Sequence, residues 1–425
     1  MKFLLFKGSL VRGVIIIIFL TLLLEGFLRF FPQIISLPLL VRFHPELRFQ
    51  IADRLGLPNI ASKREVKTDE GRILKVFRPF AKVLITIHEG TSPTDITMDE
   101  NGFCNPSAEQ KNYDVVVLGD SVTWCTTVKA EETWPYQLHE VSGKSVYNLG
   151  HPGFGIFEYL DLLKAFGLAK TPKVVIMGIY EGNDYQDAVN YHSAIAGVDP
   201  GGQSEWPCAL PESICPYYRM LKNSSVGNKS YSFNFFVAST KYVKDWVITN
   251  AKDGSAIATN KSDLIFRYVV KGPDNSEITF NPGNNSLDEP QNALQVQSIE
   301  NPFYVYEEAL KRFKKLSEEK NFKPVIVYIP SAHITYTDYI NFEDQRINKP
   351  LIEFSLRQRM YLAKVANDLK ITFVDPTKDL QKEATTHRTL GNLLYFPKNM
   401  HFTPMGHRIF AEIVNKKLTS LLKTR

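Results

Sequence analysis

The sequence predicts an α/β fold, a three-layer α/β/α sandwich around a mainly parallel five-stranded sheet, because apolar runs alternate with amphipathic segments. The apolar runs are candidate strands, at 113–118, 145–149, 173–180, 323–330 and 371–375. The amphipathic segments are candidate helices, at 131–141, 155–168, 302–320, 350–369 and 403–422. Strands that alternate with helices pair in parallel through βαβ crossovers, so helices are expected on both faces of the sheet.

Composition and charge place the chain among ordinary globular proteins. It has 425 residues, of which 44% are hydrophobic and 22% charged, and this length allows one large domain with additions or two domains. The net charge of +5 is too small and too scattered to indicate nucleic-acid binding. The sequence contains no Cys-x-x-Cys pattern, Walker loop or dinucleotide-binding fingerprint.

The N-terminal segment differs from the rest, because residues 14–24 are apolar throughout except for Thr21 and the apolar character extends to Phe31. About 20 largely apolar residues span a membrane, and Gly13–Phe31 reaches this length if Glu25 and Arg29, one helical turn apart, pair with each other. The basic residues that precede it favour an uncleaved anchor with the body of the chain outside the cytoplasm. The alternatives are a cleaved signal peptide, which lacks a clear cleavage site here, and a buried helix.

Four cysteines, an even number, are compatible with two disulfides in an oxidising compartment. Cys208 and Cys215 flank a proline-containing loop, which favours a local bridge between them. Cys104 and Cys125 then remain as a pair, and the alternative for them is two small buried thiols.

Five segments are predicted along the chain. They are a cytoplasmic tip with the transmembrane anchor (1–32), a membrane-proximal lead-in (33–110), the first half of the α/β domain (111–190), an inserted cap (191–300) and the second half of the domain (301–425). The cap is rich in Asn, Ser, Gly and Pro and interrupts the alternation. A structureless loop of that length within a compact domain is improbable, so we expect it to shape a site entrance.

Four short polar blocks lie at predicted strand ends or at a helix start. Gly119-Asp120-Ser121 follows the first strand, Gly150-His151-Pro152-Gly153 the second, and Gly182-Asn183-Asp184 the third. His401 precedes the last helix, where Thr403 suits the cap and Pro404 the first turn. Ligand crevices of open α/β sheets lie at the carboxyl ends of the strands. Each block alone is a weak signal, whereas four in this order form a strong one.

Together these blocks resemble the SGNH (GDSL-type) hydrolase family, over most of 111–190 and 300–425. The resemblance implies a flavodoxin-like SGNH fold with Ser121 as nucleophile and His401 as base. It also implies an oxyanion hole made by the backbone N–H groups of Ser121 and Gly153 and the side chain of Asn183. Gly150 is the second choice for the glycine, and His407 ranks well below His401 as base. Asp120, Gly150 and Asp184 are candidate substrate-binding residues from the same blocks.

Two features depart from the family pattern. An aspartate usually stands two or three residues before the histidine, where this chain has Lys398 and Asn399. The site is therefore either a Ser121–His401 dyad, or a triad completed by Asp375 at the end of the last predicted strand. Family members are also expected to have an arginine or similar residue at the position of Cys104 and a glycine at that of Cys125. Two departures that could satisfy one another suggest a bridge beside Ser121.

The predicted function is that of an extracytoplasmic, membrane-anchored SGNH-type serine esterase or O-acyltransferase. By analogy with the family, its substrate is an acyl ester, first an acetyl ester of a polysaccharide or envelope glycan. No metal or organic cofactor is implied, and the sequence does not determine the oligomeric state. The alternative is a catalytically weak or inactive SGNH-fold protein that binds or assembles glycans, which Asn399 and the aromatic-containing insertion favour.

Overall fold

The computed structural model describes residues 2–40, 43–55, 63–68, 72–86, 93–106, 111–195, 224–250, 264–282 and 288–422. The chain divides into two compact units, the first made of Met1–Ser62 and Gln203–Lys261, the second of Lys63–Gly202 and Ser262–Arg425. Cys208 and Cys215 lie outside the described residues. The predicted domain boundaries and the cap remain predictions.

The α-helices are numbered in chain order. They are α1 (Lys2–Phe30), α2 (Leu37–Leu40), α3 (Pro45–Leu55), α4 (Trp134–Ser142), α5 (Ile156–Leu162), α6 (Asp184–Ile195), α7 (Ser225–Lys229), α8 (Tyr231–Asn250), α9 (Asp288–Gln295), α10 (Glu307–Lys320), α11 (Ala332–Thr335), α12 (Asn348–Asp368), α13 (Thr377–Ala384) and α14 (Pro404–Leu422).

The β-strands are numbered in the same way. They are β1 (Lys63–Lys67), β2 (Ile73–Phe77), β3 (Lys82–Thr86), β4 (Pro93–Thr97), β5 (Val115–Leu118), β6 (Val146–Asn148), β7 (Val174–Tyr180), β8 (Tyr268–Lys271), β9 (Glu277–Phe280), β10 (Lys323–Ile329), β11 (Ile340–Phe342) and β12 (Thr372–Val374).

The five predicted strands of the α/β domain form one parallel sheet in the order β12-β10-β7-β5-β6. Every residue of β5 is buried, and so are Val174–Ile179 of β7. Burial on both faces explains why these strands read as continuous apolar runs rather than as alternating ones. The predicted parallel sheet is therefore confirmed.

Helices pack in two sets around this sheet, as expected for an α/β/α arrangement. In one set α4 packs against α14, and in the other α5 packs against α10, which also contacts α12. All five predicted helices are present, but three of their bounds differ: α4 begins at Trp134 rather than at 131, α5 ends at Leu162 rather than at 168, and α10 begins at Glu307 rather than at 302. Pro135 explains the start of α4, because proline suits the first turn of a helix.

The first unit has a small core of its own, formed by apolar side chains of α1, the segment that follows it, α3 and α8. Its buried members include Leu28, Leu40, Phe43, Leu47, Ile51 and Ala238. Near the end of α1, Glu25 pairs with Arg29 at 2.7 Å and accepts hydrogen bonds from the backbone and hydroxyl of Ser232, each at 2.8 Å. The predicted pairing of Glu25 with Arg29 is thus present.

Within the part of the chain that the structure describes, no helix is long and apolar enough to cross a membrane. The transmembrane helix predicted over Gly13–Phe31 is therefore not found. The residues that the sequence analysis placed at its far end, from Glu25 onward, instead make the polar and apolar contacts of the first unit.

Candidate active site

Ser121 lies in a tight turn directly after β5. The backbone N–H groups of Thr123 and Trp124 donate to the carbonyl oxygen of Asp120, at 3.2 and 2.9 Å. The Asp120 carboxylate also accepts a hydrogen bond from the backbone N–H of Val122 at 2.9 Å. The side chain of Asp120 thus braces the turn that presents Ser121 at the carboxyl edge of the sheet.

The end of the neighbouring strand β6 supports this turn. The Asn148 amide donates to the carbonyl of Thr123 at 2.9 Å, and its oxygen accepts the backbone N–H of Gly150 at 2.8 Å. A Cβ atom at position 150 would lie 2.7 Å from the backbone nitrogen of Trp124, so glycine is required there. The first and second blocks therefore form one connected structure, and Asn148 is the link that the sequence analysis assigned no role.

Ser121 and His401, 280 residues apart, meet directly. His401 Nε2 lies 2.9 Å from Ser121 Oγ, and His401 Nδ1 lies 3.1 Å from the backbone carbonyl oxygen of Asn399. Because a carbonyl can only accept, Nδ1 carries the proton and Nε2 presents its lone pair to the serine hydroxyl. This assignment, made from the hydrogen bonds, is the tautomer that a general base needs.

The resemblance led us to expect a carboxylate as the partner of Nδ1, and the partner in the structure is the backbone carbonyl of Asn399. The Asn399 side chain accepts a hydrogen bond from the backbone N–H of His401 at 3.0 Å, which closes the same short loop. A carbonyl fixes the ring orientation but supplies no negative charge to stabilise an imidazolium ion.

Asp375 is not brought to His401. Its carboxylate accepts hydrogen bonds from the backbone N–H of Thr377 at 2.9 Å and from Arg359 at 3.2 Å. It follows β12 at the edge of the sheet, three strands from β5. At about 4.8 Å per strand this separation is roughly 14 Å. The expectation of a triad completed by Asp375 is therefore not met.

The loop that presents His401 is held by close backbone contacts. Phe396 N–H donates to the carbonyl of His401 at 2.8 Å, and Met400 N–H donates to the carbonyl of Phe396 at 2.9 Å. Met400 has φ 59°, a left-handed conformation that is rare for a bulky side chain. Such conformations persist where the surroundings enforce them, and they cluster at functional sites.

Helix α14 follows directly and is capped as predicted, because the backbone N–H of Gly406 donates to Thr403 Oγ1 at 3.0 Å. His407 lies on this helix, is buried, and accepts the backbone N–H of Trp134 at 3.0 Å through Nδ1. Its contacts therefore connect α14 to α4, in line with its low rank as a candidate base.

Burial lowers the pKa of His401 to about 4, while the Asn399 carbonyl acts in the opposite direction. The side chain still retains some exposure, so a substrate can approach the pair. A pKa this low keeps the ring neutral, and therefore able to accept a proton, over the whole neutral range.

Asn183 lies on the same side of the sheet, after β7. Its amide donates to Asp187 at 2.9 Å. Burial raises the pKa of Asp120 to about 6, and the hydrogen bond from the backbone N–H of Val122 acts in the opposite direction. Gly153 is exposed with φ 77°. The oxyanion roles of Ser121, Gly153 and Asn183 remain predictions.

The three candidate substrate-binding residues lie inside the protein. Asp120 and Asp184 are 1% and 0% exposed, and Gly150 is buried. Asp184 accepts hydrogen bonds from the hydroxyl of Tyr159 at 2.6 Å and from the backbone N–H of Tyr180 at 2.7 Å. Because they are buried, these residues support the site and do not offer a surface for a substrate.

The predicted Cys104–Cys125 disulfide is present, with a Cα–Cα distance of 6.1 Å. Both cysteines are buried in a small apolar cluster that includes Phe77 and Trp124. Because Cys125 lies four residues after Ser121, the disulfide ties the turn that contains Ser121 to the segment that precedes β5.

A second group of buried ionisable residues lies at the same edge of the sheet, after β7 and β10. Glu181, Glu289 and His333 are 0%, 4% and 1% exposed. Burial raises the pKa of Glu181 to about 7 and that of Glu289 to about 8, and burial lowers the pKa of His333 to about 3. The sequence analysis missed this cluster, together with Asp187. The available signal was the position of Glu181 directly before Gly182-Asn183 and of His333 just beyond a strand end.

The model of GDSL-like lipase/acylhydrolase proteins matches residues 115–414, which is well over half of the chain and includes Ser121, Asn183 and His401. The chain belongs to this family. The SGNH-type acylhydrolase assignment is thereby supported, and the parallel five-stranded sheet fits the fold of the family. None of the curated proteins compared matches the sequence.

Two solved structures of esterases are distantly similar to the chain. One is the acetyl xylan esterase AlAXEase, at 12% identity over 71% of this chain and 98% of that chain, with a TM-score of 0.33. Another is Axe2, an acetylxylan esterase from Geobacillus stearothermophilus, at 10% identity over 73% of this chain and 95% of that chain, with a TM-score of 0.34. These similarities are too low to identify the substrate of this chain.

Proposed function

We propose that this acylhydrolase is a serine esterase or O-acyltransferase in which Ser121 attacks the acyl carbonyl and His401 is the base. The observation that supports it is the 2.9 Å contact between Ser121 Oγ and His401 Nε2. In the proposed reaction Nε2 takes the hydroxyl proton as the Oγ–acyl bond forms, and then returns it to the leaving alcohol. Water or a sugar hydroxyl next gives its proton to Nε2 and attacks the acyl-enzyme, and Nε2 returns that proton to Ser121 Oγ as the Oγ–acyl bond breaks.

The Asn399 carbonyl keeps the proton of His401 on Nδ1 throughout this cycle. Its lack of charge is consistent with the low pKa of His401, because a neighbouring carboxylate would favour the protonated ring. In the proposed enzyme Ser121 and His401 are placed for proton transfer, but the imidazolium ion of His401 is stabilised less than it would be in a full triad.

The proposed oxyanion hole combines the backbone N–H groups of Ser121 and Gly153 with the Asn183 amide. Asp187 accepts one hydrogen of that amide at 2.9 Å, which leaves the second hydrogen for a substrate oxygen. We therefore regard Asp187 as the residue that orients Asn183.

The proposed substrate is an acyl ester, first an acetyl ester on a polysaccharide or envelope glycan. This choice rests on the family resemblance, and whether water or a sugar hydroxyl accepts the acyl group is left to experiment. Product analysis decides between these two reactions, since a transferase forms a new acetylated sugar when a glycan acceptor is added.

The proposed location is outside the cytoplasm, in association with a membrane surface. The Cys104–Cys125 disulfide supports an oxidising compartment. Side chains of α1 such as Ile16, Phe19 and Leu22 are 57–65% exposed, which supports contact with lipid without the predicted span. Cell fractionation tests the proposal, and recovery of the chain in the cytoplasmic fraction would overturn it.

The central experiment compares wild type, Ser121→Ala and Ser317→Ala on p-nitrophenyl acetate. Ser317 is a matched control, because it is a buried helical serine whose hydroxyl donates only to the Lys314 carbonyl of its own helix. The expected result is turnover and labelling by a serine-directed phosphonate in wild type and Ser317→Ala, and neither in Ser121→Ala. Turnover that is equal in all three proteins would overturn the assignment of Ser121.

The second candidate function is a glycan-binding or assembly protein that has kept the fold. The Asn399 carbonyl in place of a carboxylate favours it, because the charge that stabilises imidazolium is missing. Folded wild type that binds an acetylated oligosaccharide but neither turns over esters nor takes the phosphonate label would establish this function instead.

A further inference from the structure

The buried cluster of Glu181, Glu289 and His333 stands apart from the catalytic pair. His333 Nε2 lies 3.7 Å from Glu181 Oε1 and 3.7 Å from Glu289 Oε1. These three atoms lie within 4.8 Å of one another. The three side chains therefore converge on one point inside the protein.

Two of the three atoms that converge on this point, His333 Nε2 and Glu181 Oε1, lack hydrogen-bond partners among the described residues. Among the described residues, neither ring nitrogen of His333 nor Glu181 Oε1 has a hydrogen-bond partner, although the side chains are almost wholly buried. Buried polar groups are nearly always paired, so unpaired ones call for an explanation such as an ion.

Neighbouring hydroxyl groups hold both carboxylates of the cluster in place. Glu181 Oε2 accepts hydrogen bonds from the hydroxyls of Tyr328 at 2.7 Å and Ser355 at 2.9 Å. The Ser331 hydroxyl donates to Glu289 Oε1. Surrounding groups thus orient both carboxylates while leaving Glu181 Oε1 and the imidazole directed at the common point, as ligand-orienting residues do in metal sites.

We propose that Glu181, Glu289 and His333 bind one divalent transition-metal ion, with zinc as the test ion. Half of 3.7 Å is about 1.9 Å, shorter than the roughly 2.0–2.2 Å bonds of zinc to imidazole and carboxylate, so one ion reaches both atoms. The two carboxylate oxygens lie within 4.8 Å of each other, close to twice the roughly 2.2 Å length of a zinc–carboxylate bond. Two carboxylates and a neutral imidazole also balance the charge of a dication.

Apolar side chains lie around the cluster, so negative charge on its carboxylates would need a bound cation to balance it. The rings of Phe266 and Phe342 lie 5.8 and 6.1 Å from that of His333, so the walls are apolar. The alternative occupants are protons on the two carboxyl groups, without a metal. The ion would join the segments after β7 and β10 to α9, and its role would be structural because it lies within the core.

His151 provides an internal control. Like His333 it is buried and has no hydrogen-bond partner at either ring nitrogen within the described part of the chain, but its ring lies against Phe154 and Phe77 at 4.0 and 5.2 Å. Its position resembles that of His333 in burial and differs in the neighbouring carboxylates. His151→Gln should therefore leave metal binding unchanged.

The experiment uses the untagged full chain, stripped with a chelator, incubated with Zn²⁺, dialysed and analysed by elemental mass spectrometry. We expect about one zinc per chain in wild type and His151→Gln, and at least tenfold weaker zinc binding in His333→Gln and Glu289→Gln. We also expect the Tm of wild type to rise by roughly 5 °C with excess zinc.

Anomalous diffraction from zinc-soaked wild-type crystals keeps the proposal testable if the variants do not fold, because a peak between His333 and Glu181 would support it. Zinc contents near zero in wild type, with an unchanged Tm, would overturn it in favour of a protonated cluster. Equal zinc contents in wild type and His333→Gln would also overturn it, as binding at the surface. Ester turnover is measured separately, so failure here leaves the proposed function intact.

Discussion

His401 is half-buried and His333 is buried, and the ring nitrogens of the two histidines have opposite surroundings. Each ring nitrogen of His401 has a partner, whereas neither ring nitrogen of His333 has one among the described residues. Burial lowers the pKa of both, to about 4 and about 3. The difference teaches that a shifted pKa alone does not separate a base from another kind of site, whereas the partners of the two nitrogens do.

The largest expected effect is on ester turnover, and it distinguishes His401 from His333. We expect His401→Gln to lower kcat/KM by about 10⁴-fold or more, because the base that accepts the Ser121 proton is lost. His333→Gln should retain ester turnover but unfold at lower temperature. The measurements are kcat/KM on p-nitrophenyl acetate and thermal unfolding of each variant. Equal losses of turnover in the two variants would contradict the comparison.

Asn183→Ala tests whether the Asn183 amide stabilises an oxyanion beside Ser121 and His401. Loss of one such donor typically lowers kcat by about 10²–10³-fold. Asn190→Ala is the control, since that side chain only accepts a hydrogen bond from Gln186 on the same helix. A drop in kcat that is the same for both variants would exclude a specific role of Asn183.

The Cys104→Ser/Cys125→Ser double variant tests the disulfide that supports the turn of Ser121, next to His401, and does not touch the cluster around His333. Loss of the disulfide is expected to reduce the free energy of unfolding by about 2–4 kcal/mol, measured by urea denaturation. Wild type under reducing conditions should behave like the variant. Unchanged stability would show that the cluster around Trp124 holds the turn without the disulfide.

The smallest expected effect concerns the pH dependence of the base. His401 accepts a proton only when neutral, so kcat/KM should rise with pH through about 4 and then level off. Asn399→Asp adds a negative charge near the ring, favours imidazolium, and should move this rise upward by about one pH unit or more.

Asn367→Asp adds the same charge at an exposed position of α12 and should leave the profile unchanged. Asp120 lies beside Ser121 in every variant, so its own ionisation is common to all the profiles that are compared. A profile of Asn399→Asp that overlays that of wild type would show that position 399 does not influence the base.

Much of this molecule could be predicted from its sequence, because the signals are local. The β-branched runs gave all five strands of the sheet, and the order of the four blocks brought Ser121 and His401 together as candidates. The Cys104–Cys125 bridge was among the alternatives. These features depend on residue type and position, which the sequence displays directly.

The remaining features depend on topology or on the backbone. Asp375 was a reasonable third member until the strand order put β12 at the far edge of the sheet. The group that replaces it is the carbonyl of Asn399, and a backbone carbonyl leaves no trace in residue types. The cluster of Glu181, Glu289 and His333 joins three distant segments, so only the fold brings them together.

The distance along the chain between Ser121 and His401 has a consequence for synthesis. Translation at about 5–20 residues per second separates the emergence of the two residues by roughly 14–56 s. During that interval the nascent chain carries Ser121 without its proposed base, so the proposed reaction cannot occur. In the proposed mechanism catalytic competence thus arises only after His401 has reached Ser121, and ester turnover becomes a direct readout of completed assembly in a cell-free translation reaction.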